Sequence, residues 1–400
     1  MKYKNIAYID TAALAHNYTT VCERVNRDRD SSAPTRPVIA VVKADAYGHD
    51  IALAADAFSN AGCSFFAVSS EEEALELRRL EDANGRHPSI IILGHILPEN
   101  AREIAENDII CTAVSFDNAV LLNRVMEGCA TPLRLHVKLD TGMNRVGFPT
   151  FDEARADTVE RIRAVSEMEN VRLCGIFTHF SCADTDLTAE DTGYTALQLE
   201  RYTRTLDALA AAGVNVGLRH AANSAAALDL PEAYFDAVRA GMILYGLSPV
   251  GDRRQAVAAG LRPAMRFCSR VAHIHKVACG DKVSYGGTYT AQVERTVAVV
   301  AAGYADGYER AYSGCAVEIG GRRYHSVGRI CMDQFMVDIT GHEEEVGVGQ
   351  EVTLFGGDDG ELLESLALSA DTINYEVLCS LSKRVKRQPE AARMNRRTFT

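Results

Sequence analysis

The sequence predicts an α/β fold: a (β/α)8 TIM barrel over residues 12–248, followed by a mostly β C-terminal domain over residues 249–400. Three observations predict it. Eight short apolar segments alternate with longer amphipathic ones in the first 248 residues. Polar, reactive residues cluster just after five of those segments. From Pro249 onward, glycines crowd the chain and Val-rich alternating runs replace the apolar blocks. A length of 400 residues suits two domains.

The eight candidate strands are residues 37–43, 64–68, 90–93, 109–114, 133–140, 173–179, 217–220 and 235–239. Their near-continuous apolar character marks strands buried on both faces. Helix signals fill the intervals. Thr11 is placed to cap a helix whose Leu14, Tyr18, Val21, Cys22 and Val25 share a face. Ser70 with Glu73, and Thr150 with Glu153, have capping-box spacing. Leu199, Tyr202, Leu206 and Leu209 form a stripe that ends at Gly213. A doubly wound sheet is the competing topology, and eight β-then-α units favour the barrel. In the second domain, residues 295–302, 315–319, 335–339 and 351–355 read as strands, and Gly320-Gly321 as a hairpin turn. A terminal helix is expected, with Asp371 as its cap and Ile373, Val377, Leu381 and Val385 on one face.

Composition excludes several classes. Lys+Arg 42 against Asp+Glu 54 gives a net charge of −12, which argues against a nucleic-acid binder. No apolar run reaches the roughly 20 residues that span a bilayer, and the start lacks a signal-peptide pattern. Eleven scattered cysteines without a CxxC pair suit a reducing, cytoplasmic setting. No metal site is expected.

A barrel enzyme carries its chemistry at the C-terminal ends of its strands, often with phosphate held after strands 7 and 8. The first strand runs into Lys43, the fifth into Asp140 and Arg145, the sixth into His179, the seventh into Asn223-Ser224, and the eighth into Arg239, Gly241 and Met242. A lysine at the end of a buried strand loses solvation, so its pKa falls and its amine can form a Schiff base; a snorkelling rim lysine is the structural alternative. With a phosphate anchor in the same mouth, the pattern suits pyridoxal 5'-phosphate (PLP). His136, Lys138 and Asp140 alternate onto the barrel interior. Either Asp140 pairs with Lys138, or Lys138 is modified into an anion. His220 could serve the site or be a satisfied core histidine, and Asn223 and Ser224 could be an N-cap pair.

The motifs VKADAYGH (42–49), KLDTGMNR (138–145), THF (178–180), NSA (223–225), VRAG (238–241), VSYG (283–286), GYADGY (303–308), GRICMDQ (328–334) and TINYE (372–376) closely resemble the alanine racemase family. They keep the family's order from the first helix to Tyr375. The resemblance implies a PLP-binding barrel, with the first strand of the chain contributed to the second domain. It implies that Lys43 carries PLP as an internal aldimine and is one catalytic base, and that Tyr285, reaching the barrel of a partner subunit in a homodimer with shared active sites, is the other. Tyr47, Asn223, Ser224, Gly241, Met242 and Tyr375 would hold the phosphate. His179 would pack on the ring, and Arg239, supported by His220, would meet the ring nitrogen. Arg145, oriented by a carbamylated Lys138, would contact the substrate side. Tyr304, Met332 and Asp333 would come from the partner to shape the substrate site. The implied reaction interconverts L- and D-alanine and supplies D-alanine for peptidoglycan. A racemase of another small amino acid, such as serine, is the alternative. Against the family pattern, Ala240 and Lys386 stand where proline is common, Lys386 being expected within the last helix.

Overall fold

The computed structural model describes residues 3–30, 32–186, 193–250, 253–357 and 360–390. Eight parallel strands are present: Val38–Val41, Phe65–Val68, Ser89–Ile92, Ile109–Ala113, Leu133–Asp140, Val171–Phe177, Leu218–His220 and Val238–Ala240. They pair in chain order, with the eighth beside the first. The ring is nearly closed, since a single parallel bridge, His220 to Ala237, joins the seventh strand to the eighth. Branched and aromatic residues fill both faces, as in Val38–Val41 and Phe65–Val68, where every residue is buried.

The second domain is an antiparallel sheet built on the long strand Met265–Val277. That strand pairs on one side with Glu351–Gly356 and on the other with Arg295–Val300, which folds six strands into a ring. The N-terminal strand Ile6–Ile9 pairs antiparallel with it, and Lys386–Pro389 adds parallel to Ile6–Ile9. The first and last described strands therefore both belong to the second domain, and the barrel lies between. Gly320 and Gly321 (φ 62° and 84°) form the expected hairpin turn from Ile319 to Arg322, where both central residues need positive φ. The hydrophobic core runs from barrel to sheet without a break.

Local expectations fail where a nearby polar group competes. Asp10, not Thr11, caps the first helix: its carboxylate accepts from the Ala13 amide at 2.8 Å, and Thr11 becomes the first helical residue. The Thr150 hydroxyl donates to the Asp140 carbonyl at 2.9 Å, so the helix Asp152–Ser166 starts without a side-chain cap. The eighth strand begins at Val238 and not at residue 235. Phe235 sits in left-handed backbone (φ 44°), and Asp236 turns out to hold Arg219 at 2.8 Å. The terminal helix is shorter than expected. It spans Asn374–Cys379, Asp371 does not cap it, and Leu381 and Val385 are buried beyond its end. A preceding helix, Glu361–Ser369, was not legible, and Lys386 opens a strand instead of continuing a helix.

Candidate active site

A cavity of about 520 Å³ opens at the C-terminal ends of the barrel strands. Lys43, Tyr47, His179, Asn223, Ser224, Arg239, Gly241 and Tyr375 all contribute to its wall. Eight of the residues singled out from sequence thus meet in one place, brought from four strand ends and the helix Asn374–Cys379.

The Lys43 end is built by an unusual turn. Ala44, Asp45, Ala46 and Tyr47 all adopt left-handed backbone, with φ of 54°, 52°, 53° and 54°. Each costs an L-residue about 1–2 kcal/mol. Hydrogen bonds hold the turn: the Glu73 carboxylate accepts from the Ala44 amide at 2.6 Å, and Asp45 accepts from the Ile51 amide at 2.8 Å. The result is that residues 43 and 47 both reach the cavity. Glu73 is the residue read as half of a capping box. Ser70 does accept from its amide at 3.3 Å, but the Glu73 carboxylate serves Ser69 and Ala44 instead of returning to Ser70. Burial, and then the charge of Arg145, push the Lys43 amine below its ordinary pKa, while Glu73 partly opposes them. The neutral form of an amine is the nucleophile, and burial and Arg145 favour it.

Across the cavity, hydroxyls converge on a glycine. A Cβ on Gly241 would lie 2.6 Å from Tyr47 Oη and 3.7 Å from Ser224 Oγ. The Gly241 amide donates to Ser224 Oγ at 2.9 Å, and the rings of Tyr47 and Tyr375 lie 5.9 Å apart, edge to face. Asn223 caps the helix Ser224–Asp229 through the Ala226 amide at 3.1 Å. Met242 is fully buried and does not line the cavity. A phosphate needs several donors in a small space, and this cradle supplies them.

The floor is a buried charge with fixed partners. Arg239 donates through Nη2 to the carbonyls of Thr178 (2.7 Å) and Ala221 (2.9 Å) and toward His179 Nδ1 (3.3 Å). Nη1 donates to His220 Nδ1 at 2.9 Å. A guanidinium only donates, so His220 carries its proton on Nε2, which donates to His136 Nδ1 at 2.9 Å. His220 also stacks on Phe177 with centroids 4.9 Å apart. Burial, reinforced by Arg239, keeps His179 and His220 well below their ordinary pKa. Burial lowers Arg239 itself to about 10. Its Nε has no protein acceptor among the described residues, which leaves one N–H for a group in the cavity.

Gly175 is what gives this chain room, because a Cβ there would fall 2.4 Å from the His136 ring. Gly175→Ala is therefore expected to destabilise the chain by about 1–3 kcal/mol, as overpacking does, read as a lower urea midpoint. An unchanged midpoint would show that the ring has space to move.

Lys138 departs from expectation. It is buried, and its Nζ donates to the Leu139 carbonyl at 2.8 Å. Asp140 does not pair with it, since its carboxylate accepts from the Gly142 and Asn144 amides, each at 3.0 Å, and so shapes the loop before Arg145. Burial, then Arg239, push Lys138 down to about 7. Arg145 is exposed beside the cavity, close enough for its charge to act on Lys43 and His179.

The remaining candidates form a second group outside this cavity. Tyr285, Tyr304 and Met332 are exposed at 70%, 44% and 51%. Loop contacts gather them. The Tyr304 amide donates to the Cys331 carbonyl at 3.1 Å, and the Ala305 amide to the Met332 carbonyl at 3.0 Å. The Ser284 hydroxyl donates to the Arg329 carbonyl at 2.6 Å, holding Ser284 at φ 65° and ψ −177°, a conformation nearly reserved for glycine. Asp333 pairs with Arg384 at 2.8 Å. Besides Glu73, sequence reasoning missed Cys379, which joins the cavity wall. Among the described residues no three His, Cys, Asp or Glu side chains form a metal-binding group, and no helix is long and apolar enough to cross a membrane.

Residues 9–249 match the family described as alanine racemase, N-terminal domain, and residues 264–389 match alanine racemase, C-terminal domain. A curated alanine racemase of Desulforamulus reducens is 40% identical over 389 residues, covering 97% of this chain and 99% of that protein. Alanine racemase 1 of Bacillus subtilis is 36% identical over 95% of this chain and 92% of its own length. Among solved structures, alanine racemase from D-cycloserine-producing Streptomyces lavendulae superposes with a TM-score of 0.86 at 32% identity, covering 98% of each chain. The Bacillus anthracis enzyme with bound L-Ala-P gives 0.85 at 33% identity, covering 98% of this chain and 96% of that one.

Proposed function

The chain belongs to the alanine racemase family, and from that premise we propose that it interconverts L- and D-alanine by a two-base reaction with PLP, in a site shared between two subunits. The observation that carries this reading is the separation of its parts. Lys43 lies in a cavity walled by Tyr47, Ser224, Arg239 and Tyr375, while Tyr285 stands exposed on the other domain and is no part of that wall. A second copy that brings its Tyr285 to this cavity would complete it.

The cavity fits PLP by its donor set. Lys43 would bind the aldehyde carbon. Tyr47, Ser224, Tyr375 and the Gly241 backbone, with Asn223 beside them, would hold the phosphate in the space that a Cβ on Gly241 would fill. His179 would pack on the ring, and the free Nε of Arg239 would donate to the ring nitrogen. The cofactor supplies an electron sink that makes the α-proton of the bound amino acid labile. The chain does the rest. Lys43 takes or returns a proton on one face of the α-carbon, and Tyr285 of the other subunit does so on the opposite face, so the substrate need not turn over. The His220–His136 chain fixes Arg239, so a ring nitrogen bound there would meet a hydrogen-bond donor and would stay unprotonated. Arg145 would face the substrate side, and Tyr304, Met332 and Asp333 of the second copy would shape its access.

Lys138 fits a carbamate. Its amine, held down to about 7, is partly deprotonated near pH 7 and lies near the charges of Arg239 and Arg145, so an anion there would remove the remaining buried positive charge and give Arg145 a partner. With ¹³C-bicarbonate the expected result is a carbamate resonance that vanishes in Lys138→Met. No resonance in the parent chain would refute it. We also place the enzyme in the cytoplasm, feeding D-alanine to peptidoglycan synthesis.

The direct test is a chiral assay of the purified chain, loaded with PLP, against L-alanine, D-alanine and L-serine. Racemisation of alanine in both directions, with slower turnover of serine, is the expected outcome. A chain that leaves alanine unchanged overturns the reading, and faster turnover of serine would shift it to a serine racemase. Pocket size alone separates the two by only about 1–3 kcal/mol.

A further inference from the structure

We infer that Arg387 is a positioning residue for PLP binding, clamping the left-handed turn between Lys43 and Tyr47 to residues 381–385; this rests on the function proposed above. Three facts meet at that side chain. First, its guanidinium is spent on backbone. Nε donates to the Gly48 carbonyl at 3.0 Å, Nη1 to those of Ser382 (2.7 Å) and Val385 (2.9 Å), and Nη2 to that of Leu381 (2.8 Å). Second, no carboxylate lies within ion-pair distance of it among the described residues, although the charges of Asp45 and Asp50 act on it from nearby. A half-buried cation satisfied by four carbonyls of two remote segments serves to join them. Third, the joint is tight, because a Cβ on Gly48 would come 2.5 Å from the Leu378 carbonyl oxygen.

The two joined segments carry cofactor-site residues at their far ends. Gly48 closes the turn that aims Lys43 and Tyr47. The carbonyls of residues 381–385 follow directly on the helix Asn374–Cys379, which carries Tyr375. Four consecutive left-handed residues are strained, and their support is local: the Ala46 and Gly48 amides donate to the Val42 and Ala44 carbonyls, the Ala44 amide to Glu73 at the start and the Ile51 amide to Asp45 at the exit. Arg387 fixes the Gly48 end, and with it the separation of Tyr47 from Tyr375.

The same stretch has a second arm. The Ser382 amide donates to the Asp306 carbonyl at 3.2 Å, and Arg384 reaches Asp306 at 3.4 Å and Asp333 at 2.8 Å. Residues 381–387 thus bind the cofactor turn with Arg387 and the Tyr304 and Asp333 loops with Arg384. The two arginines point to different sites, which provides the control.

Apoprotein of the parent, Arg387→Ala, Arg387→Lys and Arg384→Ala chains is titrated with PLP, and hydrogen exchange is measured on the same apoproteins. Arg387→Ala is expected to bind PLP about tenfold more weakly, the worth of the one charge-assisted hydrogen bond that reaches Gly48. It should also exchange the Ala46 and Gly48 amides faster than the parent, while amides of the barrel strands keep their rates. Arg387→Lys, which keeps the charge without the fork, falls between, and Arg384→Ala binds PLP like the parent. Equal PLP affinity and equal exchange in the parent and Arg387→Ala overturn the inference, as does an equal loss in Arg384→Ala. If Arg387→Ala does not fold, parent-like affinity and exchange in Arg387→Lys overturn it in the same way. A parent chain that takes up no PLP overturns the proposed function and the inference with it, whereas a parent that binds while Arg387→Ala binds equally sinks the inference alone.

Discussion

Tyr285→Phe is expected to cut racemisation by about 10²–10⁴-fold, the range a positioned general acid–base supplies, while leaving PLP uptake intact. The two halves of that result come from different parts of the molecule. The phenol lies 70% exposed on a turn held by Ser284 and Arg329, apart from the cavity wall, so removing its hydroxyl disturbs none of the groups that would bind the cofactor. The benzene ring remains, so the local packing survives. What is lost is proton transfer on one face of the α-carbon. Chiral chromatography in both directions, together with solvent deuterium uptake at the α-position from each enantiomer, reads it directly. One enantiomer should still exchange its α-proton through Lys43, and the other should not. Turnover equal to the parent would end the assignment of Tyr285.

Lys43→Ala is expected to lose more, by about 10⁴-fold or beyond, because one side chain serves both as covalent anchor and as base. The structure gives this lysine the right chemistry. Burial and Arg145 hold its amine below the ordinary range, and the left-handed turn delivers it beside Tyr47. Borohydride treatment of the parent should fix a phosphopyridoxyl group on Lys43, to be found by peptide mapping, and Lys43→Ala should carry none. A label on Lys138 would overturn the assignment, and that is a real competitor, since Lys138 is buried near the same charges with an amine titrating at about 7.

What was legible in the sequence was the periodic and the adjacent. Barrel strands buried on both faces, such as 37–43 and 64–68, announce themselves as apolar blocks, and polar residues at their C-terminal ends belong at the cavity by the logic of the fold. The hairpin at Gly320-Gly321 was equally plain. What was hidden depends on groups distant in the chain. No local pattern shows that residues 44–47 turn left-handed, because nothing in Ala-Asp-Ala-Tyr favours it; Glu73 and Arg387 hold the turn from 29 and 339 residues away. The helix expected to run through residue 385 stops at Cys379: the Ser382 amide donates to the distant Asp306 carbonyl instead of the helical ladder, and the carbonyls of Leu381, Ser382 and Val385 accept from Arg387. Asp140 looked like the partner of Lys138 by alternation, yet the Gly142 and Asn144 amides claim its carboxylate first. The place of Tyr285 in a second subunit has no signature in local spacing; it is implied by the family motifs, and the side chain is exposed outside the cavity wall.

The sharing of one site by two copies is tested most directly by mixing. Lys43→Ala and Tyr285→Phe chains, each inactive alone, are unfolded together, refolded at equal ratio and assayed for alanine racemisation. Random pairing makes half the dimers mixed, and each mixed dimer rebuilds one intact site, so activity should return to about a quarter of the parent's. Mixed dimers, verified by differential tagging, that stay inactive would contradict the account, because the lysine and the phenol would then have to act from the same chain.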